Sequence, residues 1–187
     1  PIRIGLLGIG TVGGGTFDVL RRNEEEITRR VGRPLVVTRV ADLDLELARS
    51  VTGGGIEVTD DAYAVTRDPD IDIVIELIGG YGIAKALVLE AIGAGKHVVT
   101  ANKALLAVHG TEIFQAAQAK GVMVMFEAAV AGGIPIIKAL REGLTANRIQ
   151  WIAGIINGTT NFILSEMRSK GLDFDVVLKE AQRLGYA

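Results

Sequence analysis

The stretch "IRIGLLGIGTVGGG", residues 2–15, decides how the rest of the chain is read. Ile2, Ile4, Leu6 and Leu7 make a compact apolar run, long enough for a strand buried on both faces. Glycines follow at positions 8, 10 and 13, the G-x-G-x-x-G spacing. Alone that spacing marks only a flexible turn, but between a buried strand and a helix it marks a dinucleotide-binding turn. Gly8 permits the tight bend, Gly10 lets the backbone approach a pyrophosphate, and Gly13 lets the helix pack against the strand. The phosphates would rest on the free N–H groups and positive dipole end of that helix.

Outward from this turn, Thr11 to about Arg30 reads as one long helix, with Val12, Phe17, Val19, Leu20 and Ile27 favouring one side. Its charged run "NEEEITRR" is a solvated face, and Gly32 and Pro34 end it. "LVVTRVAD" is a second strand, rich in β-branched residues. Leu45–Val51 reads as a short helix, Ile56–Val58 as a short strand, and Asp60 or Asp61 caps a helix to about Arg67. "IDIVIELIGG", "HVVT" and "VMVMFEA" are further strands, separated by helices at Ile83–Ile92 and Thr111–Lys120. This alternation predicts an α/β fold, a parallel sheet doubly wound by helices on both faces.

Near Val130 the pattern changes, and "AGGIP" marks a boundary, with Pro135 opening a helix to about Arg141. "RIQWIAGII" then reads as a strand, "NGTTN" as a turn, and Phe162–Ser169 and Phe174–Leu184 as helices. Residues 1–130 are therefore expected to form a dinucleotide-binding domain, and residues 131–187 the incomplete start of a second α/β domain.

Ligands of such sheets bind outside the carboxyl ends of the strands. Those ends supply the cofactor candidates: Gly8, Ile9, Gly10, Thr11, Val12 and Gly13; Asp42; Ile78 and Gly79; and Thr100, Ala101 and Lys103. Asp42 can accept hydrogen bonds from the adenosine ribose, although it lies 29 residues after Gly13 rather than the usual ~20. The long helix accounts for the difference, and Asp44 competes for the role. No Lys or Arg occurs from Leu43 to Ala48, which favours NAD over NADP. Gly79 and Gly80 either allow close approach of a cofactor or simply turn the chain. Lys103 stands at the rim where a nicotinamide should lie, with Asn102 a cap for the helix that follows; the plain alternative is a solvated lysine.

Composition narrows the chemistry. Apolar residues make up 49% and charged residues 22% of 187, with a net charge of −2. No broad basic surface exists for nucleic acid or an anionic membrane, and no apolar run reaches the ~18–20 residues that span a bilayer. With no signal-peptide pattern at the first residues, the expected setting is the cytoplasm. Cysteine is absent, which removes disulfides and any route through an enzyme thioester. His97 and His109 read as structural or solvated, the first opening a strand and the second in a loop. Trp151 reads as core or interface packing. Glu76, inside an apolar strand, needs a polar partner if buried, and either orients a loop or faces the cofactor.

Taken together, "GLLGIGTVGGG", "VVTANKALLA", "FEAAVAGGIPII" and "GIINGTTNFIL" resemble homoserine dehydrogenases in order and spacing, over essentially the whole chain. "AQRLGYA" is similar to the opening of that family's signature segment. The resemblance implies a Rossmann domain followed by a substrate and dimerisation domain in a homo-oligomer. It implies reversible reduction of L-aspartate 4-semialdehyde to L-homoserine with NAD or NADP, a step towards threonine and methionine. It also makes Lys103 the active-site lysine, and Gly158, Thr159 and Tyr186 substrate residues. Backbone carbonyls of Glu127, Val130, Gly132 and Ile134 would hold a monovalent cation such as sodium; otherwise that loop is an interdomain turn. The family's signature continues through a carboxylate, further aspartates and a second lysine, and this chain stops at Ala187 before them, so it is expected to be a fragment of a longer enzyme. Two other readings stay open: a related amino-acid dehydrogenase of the aspartate dehydrogenase kind, and a dinucleotide-binding module without turnover.

Overall fold

The structure is a computed structural model that describes residues 1–186. These divide into two compact units, Pro1–Gly143 and Leu144–Ala187.

The first unit is built on six parallel strands: β1 (Ile2–Leu7), β2 (Leu35–Ala41), β3 (Glu57–Thr59), β4 (Ile73–Glu76), β5 (His97–Thr100) and β6 (Val124–Met125). They lie in the order β3-β2-β1-β4-β5-β6, so the chain reverses its winding between β1 and β4. That switch point leaves a crevice beyond the strand ends. Alternate side chains feed the two faces. Ile4 and Leu6 of β1 and Ile75 of β4 join Phe17, Val37, Val40 and Ala48 on one side. Leu7 and Val74 join Val65, Leu87, Val88, Ile92, Leu105 and Ile113 on the other. Gly5 lets the second layer come close, because a Cβ there would sit 2.4 Å from Val65 Cγ1. The doubly wound sheet predicted from the sequence is the observed architecture.

The first unit departs from the sequence reading in three places. The single long helix is two, α1 (Thr11–Arg22) and α2 (Glu24–Val31), broken at Asn23 with φ −108° and ψ 21°. Arg21 and Arg22 suit a helix end and Glu24, Glu25 and Glu26 a helix start, so the charges favour two dipoles over one. Next, α3 (Leu45–Thr52), α4 (Ala62–Thr66) and α5 (Gly82–Gly93) fall close to the expected ranges, and Asp61 rather than Asp60 caps α4, accepting from the Tyr63 N–H at 2.9 Å. The second departure is α6, which runs from Lys103 to Lys120 instead of beginning at Thr111. Gly110 is buried inside it rather than breaking it, so His109 is helical, not in a loop.

The third concerns the boundary. The sheet ends at Met125, whereas the first compact unit continues to Gly143, past the change expected at Val130. A short 3-10 turn (Glu127–Ala129) is followed by α7 (Ile136–Lys138) and a wide helical turn (Ala139–Gly143). Glu127 ties them together, its carboxylate accepting the N–H groups of Ile137 and Lys138, both at 2.9 Å.

In the second unit α8 (Gly158–Lys170) and α9 (Phe174–Arg183) pack around Ile163, Val177 and Ala181. Asn157 caps α8, and Gly171, at φ 65°, ends it. The strand expected at "RIQWIAGII" is not formed, and Trp151 is 78% exposed, outside the core of this unit. A strand needs a neighbour for its backbone N–H and C=O groups, and no other strand lies among the described residues of this unit.

Candidate active site

The glycine turn meets two separate steric demands. Gly8 has φ +90°, and a Cβ on it would lie 2.9 Å from the Leu77 carbonyl oxygen. A Cβ on Gly13 would lie 2.0 Å from the Gly8 carbonyl oxygen, so α1 can approach β1 only with glycine there. Gly10 is different: nothing stands within 4 Å of where its Cβ would be. It is the N-cap of α1 and supplies no side-chain cap, which leaves the first-turn N–H groups open to an anion.

Asp42, half-buried at the end of β2, holds this turn from the side. Its Oδ2 accepts the Ile9 N–H at 2.7 Å, and its Oδ1 accepts the Asp44 N–H at 2.9 Å. Asp44 instead caps α3, accepting the Leu47 N–H at 2.9 Å. A cleft of about 510 Å³ opens beside them, bounded by Gly8, Gly10, Asp42 and Ile78. Its other walls include Leu43, Asp60, Asp61, Tyr63 and Leu77, and none of its lining residues is Lys or Arg. The acids at 60 and 61 were legible as the end of β3, by the same topological rule that selected the other strand ends.

Two strands along the sheet, β5 ends in a buried polar knot. Thr100, itself buried, donates from its hydroxyl to Glu76 Oε2 at 2.7 Å and accepts the Asn102 N–H at 3.0 Å. Asn102 Oδ1 caps α6 by accepting the Leu105 N–H at 3.0 Å, while its amide nitrogen donates to the Gly80 carbonyl. Ala101 is half-buried, and Lys103, the first residue of α6, is exposed. No hydrogen bond or ion pair ties the Lys103 ammonium among the described residues. Gly79 and Gly80 turn with φ +82° and +64°, open to solvent. The 510 Å³ cleft therefore collects Gly8, Gly10, Asp42 and Ile78, whereas Thr100, Ala101 and Lys103 lie beyond its lining.

The remaining candidates each make local contacts. His97 Nδ1 accepts the Met123 N–H at 3.0 Å, and the His109 ring lies against Tyr81 with centroids 5.9 Å apart. In the loop 127–134, Ala131 is the non-glycine residue with positive φ, at 55°, and Gly132 follows at 61°. There the Glu127 carbonyl accepts from Val130 N–H at 3.1 Å and the Ile134 carbonyl from Ile136 N–H at 2.8 Å. No cluster of three His, Asp or Glu side chains fit to hold a metal occurs among the described residues. In the second unit the Thr159 hydroxyl donates to the Tyr186 carbonyl, and the Tyr186 ring meets Phe162 edge-on at 5.1 Å.

Comparison with known proteins adds a second line of observation. A family model described as "Homoserine dehydrogenase, NAD binding domain" matches residues 8–127, and one described as "Homoserine dehydrogenase" matches residues 135–187. The homoserine dehydrogenase of Methylobacillus glycogenes is 65% identical over all 187 residues, which span 45% of that protein. The crystal structure of a homoserine dehydrogenase from Thiobacillus denitrificans superposes with TM-score 0.91 at 70% identity, over the whole of this chain and 43% of that one. A hyperthermophilic archaeal homoserine dehydrogenase in complex with NADPH is 29% identical with TM-score 0.77, covering 99% of this chain and 61% of that chain. The chain thus spans less than half the length of the first two.

Proposed function

Because this chain belongs to the homoserine dehydrogenase family, we propose that the protein carrying it oxidises L-homoserine reversibly to L-aspartate 4-semialdehyde with a nicotinamide dinucleotide. The observation that carries this reading is the open cradle at Gly10, set between the close contacts of Gly8 and Gly13 and walled by Asp42. A pyrophosphate fits there, on the N–H groups at the start of α1. When bound, the nicotinamide supplies the hydride acceptor. This chain's own contribution is electrostatic. The Lys103 ammonium stabilises negative charge on the substrate oxygen and can hold or return its proton.

NAD is the preferred cofactor. The Asp42 carboxylate, already tied to two backbone N–H groups, retains lone pairs for the ribose hydroxyls. Asp60 and Asp61 line the same cleft without a cation, so a 2′-phosphate would meet only like charge. By family likeness, Gly158, Thr159 and Tyr186 take the substrate. Carbonyls of Glu127, Val130, Gly132 and Ile134 are hard neutral oxygens, a donor set that suits a monovalent cation such as sodium. Assembly as a homo-oligomer rests on the family likeness, and a cytoplasmic setting on the sequence pattern; no helix among the described residues is long and apolar enough to cross a membrane.

The test is an assay of the complete protein with NAD and either L-homoserine or L-aspartate, followed by NADH absorbance. Turnover with homoserine and not aspartate is the expected result. Turnover with aspartate alone would transfer the protein to the aspartate dehydrogenase kind, and no turnover with either would leave a binding module.

A further inference from the structure

We propose that Glu76 is a positioning residue for Lys103, a buried carboxylate that fixes the start of α6 against the turn at 77–80. This rests on the reading of Lys103 given above. Glu76 ends β4, paired with Leu7 of β1 and Thr100 of β5, and it is fully buried. Its strand neighbours Val74 and Ile75 serve the two cores, and a valine at 76 would satisfy the sheet equally well. A buried carboxylate costs desolvation and persists only where donors converge on it.

Here the donors come from two loops. Oε1 accepts the Ile78 N–H at 2.9 Å and faces the Asn102 amide nitrogen at 3.5 Å. Oε2 accepts the Thr100 hydroxyl at 2.7 Å, and that hydroxyl in turn accepts the Asn102 N–H. Asn102 closes the circuit by donating to the Gly80 carbonyl and capping α6 through Leu105 N–H. Two routes therefore run from one carboxylate to the residue before Lys103, and a third runs to the turn that lines the cofactor cleft. None of these donors belongs to the apolar core. The Lys103 side chain has no tie of its own among the described residues, so the start of α6 is what fixes the point from which its ammonium reaches. A misplacement of about 1 Å at such a group can cost ~100-fold in rate.

The experiment uses the complete enzyme. Glu76→Gln keeps the shape but offers one acceptor oxygen instead of two, so it cannot accept from both the Ile78 N–H and the Thr100 hydroxyl. It is expected to lower kcat about 10-fold or more, with NAD dissociation constant changed less than ~3-fold. The decisive arm is the double variant: in a Lys103→Ala background, Glu76→Gln should cost less than ~3-fold, because the group it positions is gone. Full additivity of the two losses, or an unchanged kcat in Glu76→Gln, would overturn the proposal while leaving the role of Lys103 intact. A near-normal rate in Lys103→Ala would instead overturn that role and this proposal with it. If Glu76→Gln does not fold, Glu76→Asp, which keeps the charge but draws it back by one methylene, is measured in the same cycle with the same criteria.

Discussion

The Ile9 N–H donates to Asp42 Oδ2 across 2.7 Å, joining the glycine turn after β1 to the end of β2. One carboxylate thus serves the loop and, in the proposed function, the ribose as well. Asp42→Asn keeps the size but has a single acceptor oxygen and introduces a donor facing Ile9 or Asp44 N–H. Loss of charge-assisted bonds worth about 1.5–3 kcal/mol should weaken NAD roughly 10- to 100-fold. It should also narrow the preference over NADP. Calorimetric titration with both cofactors measures this, and an unchanged NAD affinity would remove Asp42 from the site.

Gly10 and Gly13 should separate cofactor binding from stability. In Gly10→Ala the new methyl enters open space, so the melting temperature should hardly move while NAD affinity drops at least about tenfold. In Gly13→Ala the methyl meets the Gly8 carbonyl, and overpacking of this kind costs about 1–3 kcal/mol. Thermal unfolding beside calorimetry distinguishes them. A Gly10→Ala protein that binds NAD as the parent does would show that no phosphate sits there.

The sheet was legible because buried parallel strands write themselves as short apolar runs, and β1, β2, β4 and β5 lie close to where those runs stand. Of the features that escaped, two show the physical reason. The "RIQWIAGII" run has strand composition, but composition carries no information about whether a pairing strand is present beside it. Asn23 breaks a helix whose apolar face continues across the break, so periodicity alone reads straight through; only the inversion from Arg21 and Arg22 to Glu24 and Glu25 betrays it. In the site, the positions of Gly8, Gly10, Gly13 and Asn102 followed from spacing. The partner of Glu76 did not, since Thr100 and Asn102 lie 24 and 26 residues away and meet it only through strand register.

Lys96 gives a pH signature at the other end of the sheet. It is 4% exposed, and its ammonium donates to the Ile71 carbonyl at 2.8 Å and to the Asp68 carbonyl. Burial pushes it below the ordinary 10.5, opposed by the charges of Asp68, Asp72 and Asp70. Between the folded-state value and 10.5 the unfolded chain holds more protons, so this group's contribution to stability rises with pH. Urea unfolding of the parent and of Lys96→Met should therefore show a stability difference that shifts in the parent's favour as pH approaches 10.5. A difference that stays flat or moves the other way would contradict the assignment.

The central claim is that the ammonium at the start of α6 stabilises charge on the substrate oxygen. Steady-state turnover of homoserine by Lys103→Ala in the complete enzyme tests it most directly, with NAD affinity measured on the same preparation. The expected result is a fall in kcat of about 100-fold or more with NAD still bound as in the parent. A rate within a few-fold of the parent's would contradict it.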